Sequence, residues 1–187
     1  GLSACSVCGL TTLSRRKQTG ACILMYHGFC DGENKGLENH SRLHLDIEAF
    51  RHTAKMFAKH YHVISLQLLA DMMEAGQDIP AGTVVLTFDD GYADNCVEAL
   101  PMLIRRNIPV TYFVTTQNVL QQKPFPHDVE QQQPLAPNTR EMLRSLSAAG
   151  IEIGGHTRTH PDLGSMQNSG RLYDEVIGGI CELEEAI

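Results

Sequence analysis

The sequence predicts an α/β fold in which parallel strands are joined by helical crossovers. Three observations support this prediction: strand-like and helix-like stretches alternate along the chain, the strand-like stretches are short apolar runs, and the helix-like stretches repeat apolar residues at helical spacing. Such alternation is typical of parallel sheets covered by helices. In these folds the functional residues lie at the carboxyl ends of the strands, in an open sheet and in a closed barrel alike. The polar residues that follow each strand are therefore the candidates for function.

The first half of the chain predicts three strands with two helices between them. The run ACILMYHGF (21–29) predicts a buried strand with a polar tip, and Asp46 predicts the N-cap of the helix that follows. YHVISL (61–66) predicts a short strand, and TVVLTF (83–88) predicts the strongest strand because it is rich in β-branched residues. The apolar faces of the two helices comprise Ile47, Phe50, Ala54, Phe57 and Ala58, then Leu68, Leu69, Met72 and Met73.

The second half predicts two more strands, with helices and a loop around them. VTYFV (110–114) and IEIGG (151–155) predict the strands, and Asn138 with Glu141 predicts a capping box at the start of a helix. Residues 117–138 are rich in Gln and Pro and show no periodicity, which predicts a loop insertion. The apolar faces of the helices comprise Val97, Leu100, Leu103 and Ile104, then Met142, Leu143 and Leu146, then Leu172, Val176, Ile180, Leu183 and Ile187.

The composition predicts one folded domain over residues 21–187, preceded by a poorly ordered extension over residues 1–20. The 187 residues are 42% hydrophobic and carry a formal net charge of −7, which is typical of a globular protein. The acidic balance argues against a nucleic-acid partner, which would require clustered Lys and Arg. No apolar run approaches the roughly 20 residues that a membrane span needs. The chain shows no signal peptide but begins at Gly1, so a cytoplasmic and a cell-envelope location both stay open.

The six cysteines are scattered and do not form a dense disulfide framework. Cys5 and Cys8 form a C-x-x-C pair, which suits half of a zinc site or a redox pair. No second C-x-x-C or nearby Cys/His pair completes a zinc site, and no strand precedes the pair. We therefore expect free thiols in the N-terminal extension.

Two adjacent carboxylates, Asp89 and Asp90, follow the strongest strand in the stretch VLTFDDGYADN (85–95). Like charges this close destabilise each other unless a cation or a shared proton relieves them. The alternative is a turn in which an aspartate caps the next helix. The histidines that follow the last strand favour the cation.

Those histidines, His156 and His160, lie in the stretch GGHTRTHPD (154–162). Their spacing resembles that of metalloprotease helices, but the preceding Gly pair and the following Pro favour a turn, and no glutamate lies between them. Two imidazoles and one carboxylate form a facial triad that leaves coordination positions open for water and substrate. With Asp90 as the carboxylate, Asp89 stays free to act as a base on the metal-bound water. The alternative is a polar loop whose threonines hydrogen-bond the turn.

Other polar residues have weaker signals. Thr157 is expected to brace the loop that carries the histidines. His27 lies at the tip of the first strand, where a role near the site and a purely structural role are equally open. The remaining histidines are predicted to lie on the surface: His40, His44, His52, His60, His62 and His127.

The paired motifs resemble a known family. TFDDG (87–91), followed about 65 residues later by HTRTH (156–160), resembles the first two motifs of the polysaccharide deacetylases, the NodB-homology domain of carbohydrate esterase family 4. Either motif alone is moderately specific, whereas both in this order and spacing are strongly so. The flanking stretches that also resemble the family are ILMYHGF (23–29), VISLQLLADMMEAG (63–76) and IEIGGHTRTHPDL (151–163), so the similarity covers most of residues 21–187.

The resemblance implies hydrolysis of the acetyl group of an acetamido sugar in a polysaccharide or oligosaccharide, or less often of an O-acetyl ester. It implies that Asp89 is the general base. It also implies a divalent metal held by Asp90, His156 and His160, most commonly zinc, with cobalt, nickel and manganese as alternatives. The wording of the motifs is most similar to bacterial deacetylases of surface polysaccharides and exopolysaccharides.

The resemblance further implies a distorted (β/α) barrel, of which this chain is a part. Backbone amides near Gly91 and Tyr92 are expected to assist the oxyanion or to contact the substrate. The Tyr92 side chain is expected either to pack beside the site or to contact the sugar. The family's third motif, its Trp- and Asp-bearing motif and its general-acid histidine do not appear, and the chain contains no Trp and stops at Ile187. We therefore expect a C-terminally truncated, partial barrel that lacks its last strands.

Two alternatives to a polysaccharide deacetylase follow from these departures. The first is a truncated or non-catalytic family member that binds a metal or a glycan without turnover. The second is a related hydrolase of small non-peptide amides. An open groove favours a polymer and a closed pocket favours a small amide, and the aromatic content of 6% offers little surface for sugar stacking.

Overall fold

Residues 20–30, 43–130 and 134–187 are described by the computed structural model, and they form the predicted α/β architecture. The Cys5–Cys8 pair lies outside the described residues, as do His40 and all of the 1–20 extension except Gly20. Within this part of the chain, every pair of neighbouring strands is parallel. Parallel pairing requires crossover connections, which is why helices separate the strands of the main sheet.

The main sheet aligns the strand ends at one edge. Its strands are β1 (Ala21–Tyr26), β4 (His62–Val63), β5 (Thr83–Phe88), β6 (Thr111–Val114) and β7 (Glu152–Gly155). They lie in the order β1–β5–β6–β7, and β4 pairs with the first part of β5. Tyr26, Phe88 and Tyr112 lie in one register row, and Val114 is opposite Gly155. The residues that follow β5 and β7 therefore meet at the same edge of the sheet.

The centre of the sheet is β5. All six of its residues are buried, and Val84, Leu86 and Phe88 have no exposed surface. A parallel strand that is covered on both faces has a continuous apolar sequence rather than an alternating one. The prediction of TVVLTF as the strongest strand is confirmed.

A second, two-stranded sheet precedes the first long helix. β2 (Gly28–Cys30) pairs with β3 (His44–Asp46). The side chain of Asp46 accepts a hydrogen bond from the amide of Ala49 (3.0 Å) and begins helix α1 (Ile47–His60), as predicted.

The core lies between α1 and the main sheet. Tyr26, Phe29, Phe50 and Phe88 form an aromatic cluster in which Phe50 lies 4.6 Å from Phe29 and 5.6 Å from Phe88, measured between ring centroids. Most of these rings meet edge-on or tilted, and Tyr26 stacks on Phe29; both are arrangements that aromatic quadrupoles favour. This cluster fixes α1 against the strand that leads to the paired aspartates.

Seven further helices lie in the described part of the chain. They are α2 (Leu66–Glu74), α3 (Ala99–Arg105), α4 (Thr116–Gln121), α5 (Pro126–Glu130), α6 (Arg140–Ala148), α7 (Ser169–Tyr173) and α8 (Gly179–Ala186). Short 3₁₀ turns occupy Ala93–Cys96 and Leu163–Ser165, and a π-helical turn over Asp174–Gly178 joins α7 to α8. The predicted loop insertion 117–138 therefore contains most of α4 and all of α5. None of the helices within the described ranges has the length and apolar character that crossing a bilayer requires.

Some predictions about burial and capping are wrong. Ile23 and Met25 on β1 expose 52% and 62% of their surface, because the described residues cover only one face of this strand. Val97 precedes α3 instead of lying on its inner face. Helix α6 is capped by Thr139, whereas Asn138 is fully buried and does not cap it.

Candidate metal centre

Backbone hydrogen bonds tie the strand ends together where functional residues are expected. The amide of Thr115, just after β6, donates to the carbonyl oxygen of Asp90 (3.0 Å). The amide of His156, just after β7, donates to the carbonyl oxygen of Val114 (2.8 Å). These bonds continue the sheet pairing past the strands, so both site loops begin from fixed points.

The structure brings the three predicted ligands together. The Nε2 atoms of His160 and His156 lie 3.3 Å and 3.4 Å from Oδ1 of Asp90. The candidate ligand atoms of all three residues lie within 4.8 Å of one another. Asp90 is buried, while both histidines are partly exposed. One side of the cluster is therefore open to solvent.

The carboxylate of Asp90 shows that these residues fit a cation. Both of its oxygens are buried, and neither has a hydrogen-bond partner among the described residues. A buried carboxylate in this state is strongly unfavourable unless a charge or a metal compensates it. One carboxylate and two imidazoles are donors that suit zinc and related divalent ions.

Backbone strain occurs at two residues of this cluster and at a neighbouring threonine. Asp90, Thr157 and His160 have positive φ angles of 70°, 63° and 60°. Residues with a Cβ adopt this conformation at a cost of about 1–2 kcal/mol each, and for a β-branched threonine it is a true outlier. Such strain is typical of functional loops, where the surroundings hold the chain in place.

The loop that carries the histidines is held by Glu175, a residue that the sequence analysis missed. The Glu175 carboxylate accepts hydrogen bonds from the amides of Arg158 (3.1 Å) and Thr159 (2.8 Å) and from the Thr159 hydroxyl (2.7 Å). Within the loop, the hydroxyl oxygen of Thr157 accepts a hydrogen bond from the amide of His160 (3.0 Å). Thr157 thus makes the local contact expected of a bracing residue.

The charges in the cluster shift one another's pKa values. Burial alone would raise the pKa of Asp90, but His160, His27 and His156 outweigh burial and hold it below its ordinary value. The Asp90 carboxylate raises the pKa of His160. Burial lowers the pKa of His156, which favours the neutral imidazole that a metal requires.

Asp89 lies beside the cluster and has a perturbed carboxyl group. Burial, reinforced by the charge of Asp90, raises the pKa of Asp89 to about 6, with His27 and His160 acting in the opposite direction. His27 is therefore close enough to act electrostatically on both aspartates. Its carbonyl oxygen accepts a hydrogen bond from Asn95 (2.8 Å), so its backbone is also structural.

Gly91 does not offer a free amide to a substrate. Its amide donates to the carbonyl oxygen of Asp89 (2.9 Å), which removes it from the predicted oxyanion role. Its φ angle is 97°, and a Cβ at this position would lie 3.0 Å from Val114. Glycine is required here because the chain turns in a left-handed conformation against β6.

Tyr92 is fully buried and packs beside the site, which was one of the two places expected for it. Its hydroxyl donates to Oδ2 of Asp128 (3.0 Å) and lies 3.0 Å from Nε2 of His127. His127 was predicted to lie on the surface, but it has a defined partner next to the site. Asp128 is buried and escaped the sequence analysis altogether.

The described part of the 117–138 segment packs against the loop that follows β5. The amide of Asn138 donates to the carbonyl oxygen of Gly91 (2.7 Å). The ring of Phe125 lies 5.1 Å from that of Tyr92 and meets the ring of His160 edge-on at 5.7 Å. The PFPHD stretch in an otherwise Gln- and Pro-rich segment was the signal that could have identified these residues.

His44 is a second histidine whose predicted surface position is wrong. It is buried, with Nε2 3.7 Å from Oδ2 of Asp94 and its ring edge-on to Tyr92 at 5.1 Å. Oδ2 of Asp94 also accepts a hydrogen bond from the amide of Phe29 (3.1 Å). A Cβ at Gly28 would lie 2.2 Å from the His44 ring, so only glycine fits there.

Solved structures of similar fold include two bacterial proteins. "Structure of IcaB from Ammonifex degensii" aligns with a TM-score of 0.72 and 20% sequence identity, covering 91% of this chain and 70% of that chain. The Streptococcus pyogenes deacetylase PplD in complex with acetate aligns with a TM-score of 0.69 and 20% identity, covering the same shares. These similarities show a shared fold.

Curated relatives are similar over a shorter range. A chitooligosaccharide deacetylase of Bradyrhizobium sp. (strain ANU 289) is 32% identical over 96 residues, 51% of this chain and 36% of that protein. A chitin deacetylase of Colletotrichum lindemuthianum is 29% identical over 91 residues, 49% of this chain and 32% of that protein. The chain spans about a third of the length of these relatives. The family model for polysaccharide deacetylases matches residues 76–186. This range is more than half of the chain and includes both the aspartate motif and the histidine motif. The chain therefore belongs to the polysaccharide deacetylase family.

Proposed function

We propose that this chain forms the metal-binding and base-carrying part of a hydrolase that removes acetyl groups from N-acetylated sugars. The observation that carries the proposal is the buried carboxylate of Asp90, which has no hydrogen-bond partner among the described residues and faces two imidazoles. A second buried carboxylate, Asp89, lies beside it. The names of the chitooligosaccharide and chitin deacetylases support an oligomer of N-acetylglucosamine as the substrate.

Each residue has a defined part in the proposed reaction. Asp90, His156 and His160 would hold a divalent ion, most simply zinc, which would supply polarisation of the acetyl carbonyl and a lower pKa for water. Asp89 accepts a proton from the water that attacks the acetyl carbon. With a pKa of about 6, Asp89 is largely ionised at neutral pH and is a stronger base than an ordinary aspartate. The carbon–nitrogen bond breaks, and the proton taken from water ends on the departing amine, so that acetate and a free amino sugar are formed.

Metal binding is the first test. We expect the purified chain to bind about one zinc ion per molecule by equilibrium dialysis with elemental analysis, matching the single described cluster. The Asp90→Ala and His156→Ala variants should bind zinc at least about 100-fold more weakly, since even residues behind the ligands contribute about 10–100-fold. His52→Ala, an exposed position on α1, serves as the control and should bind like the wild type. Equal binding by all four proteins would refute the site.

Acetate release from chitooligosaccharides tests the reaction itself. We expect Asp89→Asn to keep zinc stoichiometry while losing about 10²–10⁴-fold in kcat, the usual contribution of a general base. A wild-type chain that binds zinc and chitooligosaccharide but releases no acetate would instead support a binding role without turnover. Release of acetate from small amides but not from oligomers would support the small-amide hydrolase.

A further inference from the structure

Helix α5 carries a histidine to the edge of the candidate metal centre. The ring of His127 stacks on Phe125 (5.4 Å between centroids, 30° between planes) and lies 6.2 Å from the ring of His160. Phe125 is fully buried and packs edge-on against His160. His127 and the proposed metal ligand His160 therefore both contact the buried ring of Phe125.

A short hydrogen-bond chain determines which nitrogen of His127 carries the proton. The hydroxyl of Tyr92 keeps its single hydrogen at neutral pH and donates it to the carboxylate of Asp128 (3.0 Å). The same oxygen lies 3.0 Å from Nε2 of His127, and with the hydroxyl hydrogen directed to Asp128 it is placed to accept a hydrogen from that nitrogen. Nε2 is also 3.4 Å from the other carboxylate oxygen of Asp128, a position that favours a proton on Nε2. In the neutral ring, Nδ1 then carries the lone pair.

The side chains of Tyr92, Asp128 and His127 differ in exposure. A hydrogen-bond chain with a purely structural role would not require His127 to be exposed. Tyr92 is fully buried and Asp128 is 7% exposed, whereas the side chain of His127 is 32% exposed. Among the described residues, the contacts of the ring nitrogens of His127 are made by Nε2, and Nδ1 is not one of the buried polar atoms that lack a partner, so solvent reaches it. The buried Tyr92–Asp128 pair already satisfies its own hydrogen bond, and His127 adds an exposed acceptor to it.

We propose that Nδ1 of His127 accepts a hydrogen bond from a hydroxyl or acetamido N–H of the sugar, and that Tyr92 and Asp128 act as positioning residues for it. This inference rests on the proposed function, because it names a substrate contact for the same site. Sugars present many such donors, and a fixed acceptor beside the reacting group selects the orientation in which the acetyl group reaches the centre.

Two substitutions at one position separate the substrate contact from the structural contact. In His127→Gln the side-chain amide reaches the place of Nε2 and can donate to Tyr92, but no atom replaces Nδ1. In His127→Asn a polar atom lies near the place of Nδ1, but the contact with Tyr92 is lost. We expect the Gln variant to keep the wild-type Tm while its KM for an N-acetylated chitooligosaccharide rises about 5–10-fold with little change in kcat, as the loss of one hydrogen bond predicts. The Asn variant should have a lower Tm and a KM nearer to wild type.

A spectroscopic measurement tests the positioning without any turnover. Two-dimensional ¹H–¹⁵N spectra of the histidine side chains should show His127 with its proton on Nε2, and Tyr92→Phe should weaken this preference. His52→Gln is the control for both experiments, because this exposed side chain lies on α1. A proton on Nδ1 in the wild type, or an active wild type with an unchanged KM in His127→Gln, would overturn the inference alone. A wild type that neither binds nor deacetylates the oligomer would overturn the proposed function, and the inference with it.

Discussion

The two loops that form the candidate metal centre are held in different ways. The loop after β5, residues 89–93, is largely buried, and its backbone bonds to β1, to the end of β6 and to the 117–138 segment. The loop after β7, residues 156–160, is partly exposed. Backbone bonds with the end of β6 and the residues that follow it hold His156, Thr157 and Arg158. The carboxylate of Glu175 accepts from the amides of Arg158 and Thr159, and Glu182 binds the guanidinium of Arg158. The first loop is held by backbone bonds to the sheet and to the 117–138 segment, whereas the second is also held by two carboxylates from the last helical stretch, Glu175 and Glu182.

This comparison indicates that a different unfavourable free-energy contribution dominates in each loop. In the first loop the main cost is the buried charge of Asp90, which no described hydrogen bond relieves. In the second loop it is backbone strain, since Thr157 and His160 both have positive φ angles. A bound cation relieves the first cost, while Glu175 opposes the second. Variants that act on one loop alone should therefore separate metal affinity from stability.

The largest effect is expected from Glu175→Ala, which removes the support of the histidine loop. Three hydrogen bonds to one carboxylate disappear. A hydrogen bond to a charged group contributes about 1.5–3 kcal/mol net, and bonds that share one acceptor group are not additive, so the free energy of unfolding should fall by about 2–4 kcal/mol. Urea denaturation of the metal-free chain measures this loss. Glu185→Ala, at an exposed position on α8, is the matched control, and an equal loss there would contradict the role of Glu175.

Tyr92→Phe should weaken the anchoring of the aspartate loop. The buried Asp128 loses a hydrogen-bond donor, which costs about 1–3 kcal/mol, while the ring keeps its packing on Phe125. Thermal and urea unfolding measure the change, and zinc stoichiometry should stay the same. Tyr173→Phe removes an exposed hydroxyl and should change nothing. A Tyr92→Phe protein as stable as the wild type would show that the 117–138 segment is held by other contacts.

The pH dependence of stability sharpens the view of the first loop. Burial raises the pKa of Asp94 to about 6, despite hydrogen bonds from the amides of Phe29 and Asn95, and Asp128 adds to the increase. Since the folded state binds this proton more tightly than the unfolded state, Asp94 makes the metal-free chain less stable as pH rises from about 4 to about 6. Asp94→Asn keeps an acceptor for the Phe29 amide but does not titrate.

The Asn variant should therefore gain stability relative to the wild type across that pH window, reaching about 1 kcal/mol at pH 7 because the partly exposed carboxylate is screened by solvent. Paired urea titrations at pH 4, 5, 6 and 7 would measure the difference. A difference that stays constant with pH would contradict the raised pKa of Asp94.

The smallest effect is expected from Thr157→Asn, which eases strain in the histidine loop. Asparagine tolerates a positive φ angle better than a β-branched residue, and its side-chain oxygen can still accept from the amide of His160. We expect a gain of about 0.5–1 kcal/mol. Calorimetry in the absence of metal would detect it, with Thr53→Asn in the regular helix α1 as the control that should not gain. A loss of stability would mean that the threonine methyl group packs more favourably than the strain costs.

The sequence predicts the parts of the site that follow directly from strands. Asp89, Asp90, His156 and His160 come after apolar runs, and the carboxyl ends of parallel strands must meet at one edge. Local rules are sufficient for these residues, because strand pairing alone decides where they lie. The α/β class and the cap at Asp46 were predictable for the same reason.

The residues that sequence analysis misses depend on contacts between distant segments. His127 and Asp128 reach the site because the 117–138 segment packs against Gly91 and Tyr92. No periodic pattern in the sequence of this segment predicts that contact. Glu175 lies in a helical stretch where its neighbours indicate only an apolar face, while its carboxylate turns toward the histidine loop. Burial was misjudged on β1 because the alternation of exposed and covered side chains depends on what packs against each face.

The hydrogen bonds from Thr115 to Asp90 and from His156 to Val114 have an evolutionary consequence. They make the distance between the chelating loops a property of strand register, and register in a buried parallel sheet tolerates no slip. The residues that would meet a sugar lie instead on the helix-bearing segment between β6 and α6, where insertions and replacements leave that register untouched. Under the proposed function, changes in this segment would alter which glycan is bound, while the geometry of Asp90, His156 and His160 would stay the same.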